Sequence, residues 1–213
     1  MDSREETDRV GPSGIPDLER FEKAIAAIDA VNAGDPNRVT VRGEDGPKEL
    51  LHAQLVSEWI QRLRPSASEA LRLAGRAHHV ERWAVERGEY PDGREGYLRW
   101  RKALQDHHAE VTACLLAELG YESDTIARVR GVIRKQGLRR DPEVQTFEDA
   151  LCLVFLETQF SSLASRLADE KMVEVLRKTL RLMSEAGCRE ALSMDFPPEE
   201  GRLLERALER SPA

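Results

Sequence analysis

Apolar residues recur along this chain at intervals of three and four and almost never alternate, which predicts helices separated by Gly-, Pro- and Ser-containing turns. Leu18, Phe21, Ile25 and Ile28 form the first stripe, with Asp17 as its cap and Gly34-Asp35-Pro36 as its stop. Leu51, Leu55, Trp59 and Leu63 mark a second helix after Pro47, and Ser66 and Ser68 precede a third running to about Trp83. Beyond the turn-rich stretch ERGEYPDGREG a long helix is expected from about Tyr97 to Leu119. A short fifth follows from Ser123 to near Gly137. Thr146 is expected to open a sixth, whose run ALCLVFLE is apolar on almost every side and so marks the most buried helix. A seventh is expected from Asp169 to Gly187, then a charged one from Glu199. The only strand-like fragment, VTVRGEDGP, is too short to found a sheet. The expectation is an all-α bundle of about seven to eight helices over residues 17–195. A disordered tail at 1–16 and a charged C-terminal helix and tail at 196–213 flank it.

With 213 residues, 40% of them hydrophobic and 33% charged, the chain suits one large domain with a heavily charged surface. A formal charge of −7 argues against a nucleic-acid partner, and no apolar run is long enough to span a bilayer. The opening MDSREETDRVGPSGIP lacks the apolar centre of a secretory signal, and the odd set Cys114, Cys152 and Cys188 does not read as a disulfide framework. Reduced core thiols in a cytoplasmic protein are expected.

Some polar residues interrupt these apolar faces. His52 is in register with Leu55, Val56, Trp59 and Leu63, and His108 with Leu104, Val111 and Leu115, so both imidazoles should face the core. Asp149 stacks with Leu153, Leu156 and Phe160; it can equally be the third helical residue of a capping box opened by Thr146. On the third helix His78 lies nearer the face of Leu71 and Ala74, and His79 nearer Arg72, Arg76 and Trp83. His107 falls about a quarter-turn from His108, toward solvent. Imidazole and carboxylate together suit Fe, Mn, Co or Zn, and one ligand per helix is how an α-bundle builds a metal site. Around these segments Arg76, Arg82, Arg94 and Arg101 alternate with Trp83, Tyr90, Tyr97 and Trp100. Guanidinium groups there can grip phosphate or carboxylate, or can pair with Glu81, Glu86 and Glu95 around a structured loop.

The order of His52, the doublet His78-His79, His108 and then Asp149 on a buried helix resembles the HD-domain superfamily. There an all-α bundle binds one or two metals through a His, a His-Asp doublet and a late Asp. In the comparison His52 matches the first His and Asp149 in FEDAL the late Asp, while His108 resembles an extra His of some branches. The doublet departs from the pattern, since His79 stands where the superfamily has Asp. More closely, the strings FEKAIAAIDAVNAGDPN, KELLHAQLVSEWI, RAHHVERW, YPDGREGYLRWR and DPEVQTFEDALCLVFLE resemble the family called domain of unknown function 4202, over roughly Phe21 to Asp195. That family often has Gln at position 78 and His at 79, which implies His79 as the ligand in place of His78.

These resemblances imply an HD-like bundle holding a divalent transition metal through His52, His79, His108 and Asp149. The expected activity is hydrolysis of a phosphorylated small molecule or nucleotide. Arg82, Arg94 and Arg101 would bind the anionic group, and Glu81 or Glu110 would act as base or orient a ligand. Two alternatives stand beside it: an HD-type iron-dependent oxygenase, and a non-catalytic bundle with a structural metal or polar cluster.

Overall fold

The structure, a computed structural model, describes residues 15–209. Helix α1 (Leu18–Asn32) begins where expected, with the Asp17 carboxylate accepting from the Arg20 amide at 2.9 Å. A hairpin of β1 (Arg38–Val41) and β2 (Glu44–Pro47) follows, antiparallel, with Val41 opposite Glu44. The strand-like fragment therefore folds back on itself, and the architecture is mostly helical with one small sheet, where an all-α fold was expected. Its two-residue turn, Arg42-Gly43, has φ of 51° and 86°, the left-handed pair that a tight hairpin demands.

Then come α2 (Lys48–Leu63), α3 (Glu69–Arg76), α4 (Gly93–Glu118), α5 (Ser123–Ile133) and α6 (Pro142–Thr158), followed by α7 (Phe160–Ala164), α8 (Asp169–Leu180), α9 (Glu185–Leu192) and α10 (Pro198–Leu208). Helix α6 is the centre of the molecule, packed against α2, α3, α5, α7 and α9. Val144, Phe147, Ala150, Leu153, Val154 and Leu156 are all buried there, as the run of apolar residues implies. No described helix is long and apolar enough to cross a membrane.

Helix boundaries differ from the sequence expectation for identifiable reasons. Helix α6 opens at Asp141-Pro142 rather than at Thr146; Asp141 accepts from the amides of Glu143 and Val144, and Pro142 is preset for the first turn. Thr146 lies inside the helix, its hydroxyl donating back to the Pro142 carbonyl at 2.9 Å, so no capping box joins it to Asp149. Helix α3 stops at Arg76, seven residues early, and the chain runs through 3-10 turns at Arg82–Ala84 and Arg87–Glu89. The expected seventh helix is divided into α8 and α9 by a fresh cap at Ser184, whose hydroxyl accepts from the Gly187 amide.

Of the expected N-terminal tail, residues 1–14 lie outside the described residues, while Ile15 is buried. Helix α10 is not a separate appendage: Leu203, Leu204 and Ala207 pack onto α8 in the common core. Of the thiols, Cys152 is buried, Cys188 half-buried and Cys114 exposed, so the last is no core residue.

The join between α6 and α9 explains Asp149. Its carboxylate accepts from the Ser184 amide at 2.8 Å and from the Ser184 hydroxyl, and also from the Gln145 side chain at 3.0 Å. A Cβ at Gly187 would stand 2.8 Å from Asp149 Cγ, so only glycine lets α9 approach this closely. Asp149→Ala would strand these donors in the core and is expected to lower stability by about 3 kcal/mol. Urea unfolding checks this; a loss below about 0.5 kcal/mol, the scale of a neutral surface change, would refute the role.

Candidate metal centre

The premature end of α3 creates the site. Helix ends leave carbonyls without partners, and here imidazoles and an amide take them. His78 Nδ1 donates to the Gly75 carbonyl at 3.0 Å, and the Asn32 side chain donates to the Arg76 carbonyl at 3.4 Å. Just beyond, His108 Nδ1 from α4 donates to the Val80 carbonyl at 2.7 Å. A carbonyl can only accept, so both rings carry their proton on Nδ1 and present Nε2 as a lone pair.

His79 is fixed differently. Its Nδ1 lies 3.0 Å from a carboxylate oxygen of Glu49, a residue buried in the first turn of α2. Glu49 also has Arg82 Nε at 3.6 Å and Lys48 Nζ at 3.7 Å. Its amide is tied to Asp35 at 3.0 Å, which anchors the start of the helix. Three residues along α2, His52 faces the same way.

His52, His78, His79 and His108 all line one cavity of about 430 Å³. Ring centroids are 4.2 Å apart for His78 and His79 and 5.5 Å for His79 and His108. Two imidazoles on one tetrahedral ion have centroids about 5 Å apart, so the second pair has a suitable spacing. Glu49, His78 and His79 each offer a ligand atom, all within 4.8 Å of one another, and this triad could hold a metal ion. His108 Nε2 is buried and has no hydrogen-bond partner among the described residues. A lone pair left so in a core is costly unless something binds it.

Electrostatics keep these rings neutral. Burial lowers His52, and lowers His78 and His79 well below the usual histidine value, with Arg82 adding to the effect on His79. Burial pushes His108 down to about 4. Neutral imidazole is the ligating form.

Other candidates from the sequence are distributed as follows. Arg82 and Arg101 line the cavity; Arg82 also lies over the Trp100 ring at 5.1 Å. Arg94 is exposed in the first turn of α4 and does not line it. Glu110 is paired with Arg130 and Arg134 on the outer face of α4, and Glu81 points to His107 at 3.4 Å. Asp149 is turned toward Ser184, as described above. Its neighbour Glu148 lines the cavity instead, ion-paired with Lys135.

Glu49, Glu148 and Lys135 were not singled out from the sequence. Glu49 had a signal, its place three residues before His52. Lys135 follows α5 with φ 55°, where its amide and that of Gln136 close the helix end on Val132 and Gly131. Glycine is the usual residue in that closure, so Lys135 carries backbone strain beside the cavity.

The depressed histidines make a prediction for the metal-free protein. In the unfolded chain these rings take up protons near pH 6.5; in the folded chain His108 does so only near pH 4. The unfolded state therefore binds more protons between those values, and stability is full above pH 6.5 and lost as pH falls toward 4. His108 alone should account for roughly 3 kcal/mol of that loss. Denaturation measured from pH 7 to 4.5 should show this slope, reduced in His108→Gln; an identical slope in the variant would contradict it.

No curated protein matches the chain, and no solved structure matches it. A family model described as a domain of unknown function (DUF4202) matches residues 22–204, which run from α1 into α10 and include every residue of the cavity, and the chain belongs to that family.

Proposed function

We propose that this protein is a metal-dependent phosphoester hydrolase on an HD-like helical bundle, acting on a phosphorylated small molecule or nucleotide. The observation that carries the reading is the buried, unpartnered Nε2 of His108 in a cavity shared with His52, His78 and His79. The nitrogen-rich donor set suits Fe, Co, Mn or Zn. His52, His79 and His108 would hold the ion, with His78 beside them and Glu49 behind His79, orienting it. Asp149 leaves the set, because both its oxygens are already engaged. Bound there, a divalent ion supplies a Lewis acid for a phosphoryl oxygen and acidifies a water.

The chain's own groups supply the rest. Arg82 and Arg101 grip the phosphate; burial lowers the pKa of Arg82, yet a guanidinium stays charged at neutral pH. Glu49 and Trp100 hold Arg82 in place. Glu148, in the wall beside Lys135, is the carboxylate that accepts a proton from the attacking water, a task for which Glu81 and Glu110 face the wrong way. A site of imidazoles with so few free carboxylates also favours the second reading, an iron-dependent oxygenase.

Metal-free protein titrated with Zn, Mn and Fe(II) should bind close to one equivalent of at least one of them. His52→Ala, His79→Gln and His108→Ala should lose it, while Asp149→Asn should keep it. Glu49→Gln should weaken binding about tenfold to a hundredfold, as expected of an orienting partner. Undiminished binding in His108→Ala would sink the assignment. With phosphomonoesters and nucleotides, Arg101→Ala should weaken substrate binding about tenfold to a hundredfold at constant metal content. Dioxygen consumption linked to substrate, with no phosphate released from any ester, would favour the oxygenase.

A further inference from the structure

The cavity is not polar throughout. Along α6 its lining passes from Glu148 through Leu151 and Phe155 to Gln159, positions spaced by three or four on one helix face. At 1.5 Å per residue this covers about 16 Å of helix axis. Charge is concentrated at the Glu148 end, where Lys135 and the histidines stand. From α8 Val175 and Thr179 join the lining, while Leu182, in the turn after it, lies back at the Glu148 end, its carbonyl accepting from the Gln145 side chain at 2.9 Å. Leu151, Phe155 and Val175 are only partly buried, although each packs against the core. An apolar lining left open beside an arginine pair is what a ligand with two unlike halves would fill.

We propose that the substrate is an anionic-headed amphiphile, its phosphate held by Arg82 and Arg101 and its hydrocarbon part laid along Leu151, Phe155 and Val175. This names the substrate class for the phosphohydrolase reading and rests on it for the head group. A bare sugar phosphate would leave the α6–α8 half of the cavity wet and unused, whereas each methylene placed there leaves water.

Calorimetric titration of the purified protein with inorganic phosphate and with ethyl, butyl, hexyl and octyl phosphate, all below micellar concentration, tests it. Affinity should rise about three- to fourfold per methylene until the cavity is full. Leu151→Gln should flatten that rise while leaving inorganic phosphate binding as in the parent protein. Val175→Thr, which nearly keeps the volume at a partly buried position, should flatten it too. Phosphate binding with no dependence on chain length would overturn the amphiphile and leave the hydrolase reading intact. Binding of 1-hexanol as tight as hexyl phosphate, with no binding of inorganic phosphate, would overturn the head-group assignment and that reading with it. Absence of binding by every probe would overturn both.

Discussion

The hydrogen bonds from imidazole Nδ1 to the backbone where α3 gives out are the constraint on which the cavity depends. Gly75, in the last turn of α3, and Val80, in the turn beyond it, offer carbonyls that His78 and His108 take. Each bond satisfies an orphan acceptor, fixes a ring plane and settles which nitrogen stays bare. Through His108 the same bond ties α4 to the turn, so the helix that carries Arg101 is placed by the device that prepares the ligand. Glu49 does for His79 from α2 what the backbone does for the others. Stability and ligand geometry are therefore set by one group of contacts, and a substitution there should disturb both.

Sequence periodicity revealed most of the helices and both lone inward histidines, because His52 and His108 sit in the middle of long amphipathic stretches. It failed where the helix itself failed. Residues 77–81 leave the helix through a left-handed Glu81, φ 52°, so a wheel drawn through His78 and His79 has no meaning there. Both rings reach the cavity despite lying on different wheel faces. The choice between Glu148 and Asp149 was beyond periodicity for another reason. Helix α6 is buried on several faces at once, so adjacent residues both point inward, toward different neighbours. Only the packing partner distinguishes them: α9 for Asp149, α5 and the cavity for Glu148. The hairpin was missed for want of a sheet to belong to; its four-residue strands pair only with each other.

A net charge of −7 and a cavity lined by Arg82 and Arg101 are compatible because the two act over different ranges. Surface carboxylates are screened within about 8 Å at physiological ionic strength, so those farther off hardly reach the cavity. Locally the balance is set by which cations are already committed. Lys135 is committed to Glu148, and Arg82 shares Glu49 with Lys48. Arg101 makes no ion pair among the described residues, although it lines the cavity. Its charge is therefore the one whose field is least offset by a protein carboxylate, while Arg82 is braced by Glu49 and the Trp100 ring. An anion meeting both would find one guanidinium from α4 and one from the turn braced by Glu49 and Trp100, a pairing suited to the planar forks of phosphate recognition.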